Sequence, residues 1–166
     1  MSSVPLSFSP VLPAHAGGAP AVSSVSASAS ASASASASMV ALRLLVGLYY
    51  LPHVWSKISG FAGTVVFFGK AGFHPAEAFV VFSGAMELAV GLALVFGLWI
   101  RYAAALSSVL LLVAAYAMAT VNGLAWYWNV KGIEYLLFWA AASAIVCVDA
   151  WRRQPGGLRS LIGTAR

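Results

Sequence analysis

Four apolar runs dominate this sequence: Met39 to about Ser56, Glu77 to Ile100, Tyr102 to Thr120, and Ile133 to Trp151. Each approaches the roughly 20 residues that cross a hydrocarbon core at a rise of about 1.5 Å per residue. Inside lipid a segment must satisfy its own backbone, which only a helix or a closed barrel achieves. A barrel needs segments of about ten residues with alternating polarity, and none occurs here. The expected fold is therefore all-α, a bundle of four transmembrane helices.

Composition agrees with this reading. Hydrophobic residues make up 61% of the chain and charged residues 8%, whereas a soluble domain carries about a quarter charged residues. The formal charge of +5 does not indicate a nucleic-acid partner, because the basic side chains stand singly rather than on one face. Their only cluster, Arg152, Arg153, Arg159 and Arg166, follows the last apolar run, as expected of a cytoplasmic flank. The single cysteine, Cys147, excludes an internal dithiol and reads as a small packing or lipid-facing residue.

Residues 1–38 are rich in Ser, Ala and Pro and end in a strict Ser-Ala alternation from Ser26 to Ser38. With few large side chains to offset ordering entropy, they read as a disordered tail. No Lys or Arg precedes Arg43, so the basic start of a cleavable signal peptide is missing. The expected organisation is a tail over 1–38, a membrane domain over 39–151 and a basic cytoplasmic tail over 152–166.

Between the first two spans, Lys57 to Ala76 is too long and apolar for a simple turn. Phe61, Val65, Phe68 and Phe73 recur at near-helical spacing, which suits a short interfacial or re-entrant helix. The connection from Asn122 to Gly132 holds Trp126, Tyr127 and Trp128, rings suited to the headgroup layer. With an even number of spans, Arg43, Arg101 and the four C-terminal arginines share one side, against Lys57, Lys70 and Lys131 on the other. Six basic residues against three place both termini in the cytoplasm.

Glu87 stands near the middle of the second span, between Gly84 and Gly91 on one face. A carboxylate at that depth turns toward protein or water, and the glycines let another helix approach. It serves either as a proton-handling or ligand-binding group or as a structural hydrogen bond between helices. On the first span Arg43, Gly47, Tyr50, His53 and Lys57 form one polar stripe, interrupted by Pro52, which frees a backbone carbonyl. Counting helical rise puts Tyr50 and Glu87 both roughly 17 to 20 Å from their ends of the bundle. Tyr50 and His53 are thus the expected neighbours of Glu87. Arg43 and Lys57 either join the bundle or snorkel to opposite headgroup layers.

His53 and His74 have the chemistry of metal or haem ligands, but no span supplies a matching second histidine at the depth of His53, and no metal is expected. Asp149 with Arg152 and Arg153 has the spacing of interfacial charge pairs. Glu134 is expected at the outer rim with His74 and Lys57, where a helix start favours an acid in any case.

At these residues the chain resembles the DoxX family of small bacterial membrane proteins. The matching stretches are Arg43-Leu-Leu-Val-Gly-Leu-Tyr-Tyr-Leu-Pro-His53, Trp55-Ser-Lys57-Ile-Ser-Gly-Phe61, and Phe67-Phe-Gly-Lys-Ala-Gly-Phe73-His-Pro75. Further along they are Gly84-Ala-Met-Glu87-Leu-Ala-Val-Gly91, Gly97-Leu-Trp-Ile-Arg101, Asn122-Gly123 and Gly132-Ile-Glu134-Tyr135. The resemblance spans about Met39 to Trp151 and implies a four-helix inner-membrane protein linked to quinone-coupled oxidation or oxidative-stress complexes. It implies Arg43, His53, Lys57, Glu87 and Glu134 as site candidates. Tyr50, His53 and Glu87, with Arg43, suggest a quinone held between the first two spans, the catalytic candidates being Glu87, His53 and Tyr50. A soluble redox enzyme or a second membrane subunit is the implied partner, beside membrane lipid. A noncatalytic scaffold that recruits a soluble enzyme and a small-solute or proton transporter are the competing readings.

Overall fold

The structure, a computed structural model, describes residues 36–153. Of the tail expected over 1–38, residues 1–35 lie outside these residues, as do residues 154–166 of the basic tail expected over 152–166. The regular structure of the described residues is helical, with four helices long and apolar enough to cross a membrane. They are α1 (Ser36–Ser59), α3 (Ala76–Phe96), α4 (Ile100–Asn122) and α5 (Glu134–Arg153), with a short α2 (Phe61–Lys70) between the first two.

The first span starts three residues earlier than expected. Ser36, Ala37 and Ser38 are already helical, since alanine is the best helix former and serine costs little once a helix runs on behind it. A turn at Tyr49 marks the approach to Pro52, which has no N–H to offer the Leu48 carbonyl. Gly60 separates α1 from α2, its N–H closing on the Ser56 carbonyl at 2.9 Å. The expected short helix is thus present. Phe68, Phe73 and Phe79 stack in series at 5.5 and 5.4 Å and tie α2 and its following loop to α3.

α3 ends because Gly97 takes a left-handed conformation, φ 75°, which costs a glycine nothing. Its N–H and that of Leu98 both close on the Ala93 carbonyl. Three residues then suffice to reverse the chain into α4, and so short a link makes α3 and α4 antiparallel neighbours. The loop before α5 is also closed on itself. Ile133 N–H reaches the Ala125 carbonyl at 3.1 Å and Glu134 N–H reaches that of Trp126 at 3.1 Å.

Side-chain periodicity decides which faces pack. On α4, Ala104, Ser107, Leu111 and Ala115 are buried, while Val109, Leu112, Val113 and Tyr116 lie on the opposite, exposed face. α5 buries Leu136, Trp139, Ala140, Ser143 and Val146 and exposes Phe138, Ile145 and Val148. Exposed leucine and valine in such stripes would be a liability in water and fit a lipid surround. The two ends of the described chain meet: Arg153 Nη1 donates to Ser36 Oγ at 3.5 Å, so α1 begins and α5 ends at the same end of the bundle.

Candidate functional site

The α1 stripe faces α3 through glycine. A Cβ on Gly47 would stand 2.9 Å from the Gly91 carbonyl, and one on Gly91 would stand 2.9 Å from the Tyr50 Cβ and 3.0 Å from the Gly47 carbonyl. Backbones this close belong to small-residue contacts of membrane helices. The crossing sets the register: Gly47 and Tyr50 lie beside Gly91, Arg43 lies over Gly97, and the Lys57 side chain reaches the level of Gly84.

In that register Glu87 pairs with Lys57, through Oε1 and Nζ, and not with Tyr50. Rise counted along the axis located the Cα atoms but ignored side-chain direction. Every helical side chain leans toward the N-terminus of its own helix. In antiparallel α1 and α3, therefore, Lys57 leans back along α1 while Glu87 leans the opposite way, and the two heads converge. The side chains are only 16% and 13% exposed, so the pair is desolvated, and breaking it would strand a buried charge. Phe68 from α2 lies 5.9 Å from the Lys57 ammonium. The carboxylate's second oxygen, Oε2, is buried without a hydrogen-bond partner among the described residues.

Tyr50 has turned to a different task. Its hydroxyl lies 2.7 Å from Ser107 Oγ, which lies 2.8 Å from Ser143 Oγ. Ser143 donates to the Trp139 carbonyl at 2.9 Å. Each hydroxyl has one proton, so the direction is determined: Tyr50 donates to Ser107, Ser107 to Ser143, and Ser143 to the peptide. The chain joins α1, α4 and α5 and ends on a carbonyl that passes no proton onward. It clasps three helices in a place where all three side chains are buried.

His53 sits against Trp139, ring centroids 5.1 Å apart, and within electrostatic reach of both Glu87 and Lys57. Trp139 also contacts the Tyr50 ring at 4.6 Å and the Tyr49 ring at 6.0 Å. Only 8% exposed, it keeps a buried Nε1–H with no partner among the described residues. Sequence reasoning missed it. The one available signal was a tryptophan several residues inside a span, away from the interface where its N–H is usually satisfied.

The remaining candidates lie apart from this cluster. Arg43 occupies the space over Gly97 that a Cβ would need, with Nε and Nη1 buried and unpartnered among the described residues. Glu134 accepts the Trp128 N–H at 3.2 Å and so holds the loop before α5, and His74 is exposed. Arg101, which falls between two of the apolar runs, is the second residue of α4, 4% exposed and stacked between Tyr102 and Trp151 at 4.8 and 4.7 Å. Cys147 points its S–H at the Arg101 carbonyl, 3.4 Å away. Asp149 pairs with Arg153 at 2.7 Å.

Four apolar helices, lipid-facing stripes and a charged pair enclosed between two spans define a multi-pass membrane protein with a polar site inside its bundle. The chain belongs to the DoxX family, whose model matches residues 38–120, half of its length. The match takes in α1 to α3 and nearly all of α4, and with them Arg43, Tyr50, His53, Lys57 and Glu87. Trp139, Ser143 and Glu134 lie beyond it. No curated protein and no solved structure matches the chain.

Proposed function

We propose that the protein is the membrane subunit of a redox system, quinone-linked or tied to oxidative stress, and that a quinone binds at the Lys57–Glu87 pair beside His53. One observation carries this reading: the pair is buried between two spans, yet one carboxylate oxygen is left without a partner. A buried acceptor without a hydrogen bond is costly and rare in a native fold, and a ligand group that can donate to it, such as a hydroxyl of the reduced quinone, removes the cost. An ionisable pair inside a span is a functional site by default. The bacterial inner membrane, with both termini cytoplasmic, is the location that goes with this role. A C-terminal alkaline phosphatase fusion that is active in the periplasm would refute that orientation.

Glu87→Gln tests the reading. The amide keeps a polar group of the same size facing Lys57 but removes the charge that exchanges a proton. The expected result is a folded, inserted protein that has lost its redox phenotype in complementation and part of the quinone that co-purifies with the wild type. Full activity with unchanged quinone content would shift the assignment to a scaffold that recruits a soluble enzyme. The scaffold reading has its own support in the Tyr50–Ser107–Ser143 clasp, which ties three helices together and leaves none of its own hydroxyls free.

A further inference from the structure

Two buried polar groups near the Tyr50–His53 stretch of α1 lack partners among the described residues, and they are of opposite kind. Glu87 Oε2 is an acceptor; because Oε1 is engaged by Lys57, the group is a carboxylate and accepts only. Trp139 Nε1 is a donor and can do nothing else. Trp139 lies against His53 and Tyr50, and Glu87 stands one turn before Gly91, whose backbone meets Tyr50, so both groups border the same part of the bundle. Neither is an accident of looseness. Trp139 is held at its carbonyl by Ser143 and at its ring by Tyr50, and Glu87 is held by Lys57.

We infer that this site selects the reduced, hydroxyl-bearing state of its ligand, a hydroquinone rather than a quinone, with Glu87 receiving the ligand O–H and Trp139 donating to a ligand oxygen. The inference rests on the quinone reading above and adds to it the preferred state and a residue of the fourth span. The chemistry follows from donor counting. A quinone has two carbonyl oxygens and no proton to give. Set against Glu87 Oε2, it would place acceptor against acceptor and leave the carboxylate as poorly satisfied as before. A hydroquinone hydroxyl both gives and receives, so it satisfies the carboxylate through its proton and the indole through its lone pairs. Lys57 gives one of its three N–H to Oε1, and the others would serve an oxygen of either state, so the lysine does not set the preference. Trp139 does not discriminate between the two states, since both present an oxygen that accepts. It contributes affinity, and Glu87 contributes the choice.

The test uses the full-length protein in lipid nanodiscs, with decylubiquinone and, under anaerobic reducing conditions, decylubiquinol as probes. One charge-assisted hydrogen bond made by only one state corresponds to a preference for the quinol of about tenfold or more. In Glu87→Gln the amide supplies a donor as well as an acceptor, so that ratio is expected to fall toward one. Trp139→Phe removes the N–H and keeps the ring, and both affinities are expected to fall by about twofold to tenfold with the ratio unchanged. Equal binding of the two probes to wild-type protein overturns the inference and leaves the quinone reading standing. Binding of neither probe overturns both. Unchanged affinities in a folded Trp139→Phe protein remove the indole from the site. If that variant does not fold, the ratios for wild type and Glu87→Gln decide the inference by themselves.

Discussion

The α1–α3 and α4–α5 contacts both bring membrane helices close, by different means and with different results. Between α1 and α3 the approach depends on Gly47 and Gly91, and the groups flanking that crossing are charged and incompletely paired: Lys57 with one oxygen of Glu87 on one side, Arg43 over Gly97 on the other. Between α4 and α5 it depends on alanine and serine. There Ser107 bonds to Ser143, and Ser108 donates to the Ala140 carbonyl at 3.1 Å. Each of these three serine hydroxyls has a partner. Lipid offers no competing hydrogen bonds, so a satisfied network makes a quiet structural seam, while an unsatisfied group marks a place built for something else. The glycine seam brings functional groups together; the serine seam holds the helices that support them.

This contrast can be broken most forcefully at the ion pair. Lys57→Met leaves Glu87 buried without its counter-charge, and the loss of one partner of such a pair costs about 3–5 kcal/mol. The expected outcome is a protein that fails to accumulate or melts far below wild type in detergent. The double change to Lys57→Met and Glu87→Met, which removes both charges, should recover most of that stability while abolishing ligand binding. A double variant as unstable as the single one would mean that the pair is itself structural.

A smaller effect separates the glycines. Gly91→Ala forces a Cβ onto the Tyr50 side chain and the Gly47 carbonyl, an overpacking that costs about 1–3 kcal/mol and should lower the melting temperature. Gly84→Ala is expected to be neutral, because a Cβ there meets nothing nearer than the Lys57 Cδ at 3.9 Å. Equal melting shifts for the two would show that α1 and α3 do not cross at Gly47 and Gly91.

The smallest change belongs to the serine seam. Ser143→Ala removes the end of the hydroxyl chain, and hydrogen bonds between membrane helices average about 0.6 kcal/mol. A modest drop in resistance to unfolding by sodium dodecyl sulfate is expected. Loss of redox function in a protein of nearly normal stability would show instead that the chain carries protons, contrary to its termination on the Trp139 carbonyl.

The spans, their order and the short helix between the first two were all legible in the sequence. They depend on run length and local periodicity, which neighbouring residues determine by themselves. Glu87 stood out for the same kind of reason: an acid in the middle of an apolar run is conspicuous at any register. Its partner was not legible, since Lys57 and Tyr50 lie on the same stripe of α1 and only the antiparallel lean of the side chains favours the lysine. Trp139, Ser107 and Ser143 were invisible in a different way. Each is a residue tolerated on any apolar helix, and none carries a charge to draw attention.

Composition and hydropathy therefore decided the solvent, the fold class and the existence of a buried carboxylate, because those follow from what lipid does to any backbone or charge. The tertiary structure alone decided which groups meet. Two glycines set how closely and at what level α1 passes α3, and that level assigns Lys57 to Glu87, frees Tyr50 for the serines of α4 and α5, and leaves one acceptor and one donor near the Tyr50–His53 stretch of α1. Such choices turn on displacements of a single helical turn, about 5.4 Å, which a pattern repeating every turn cannot distinguish.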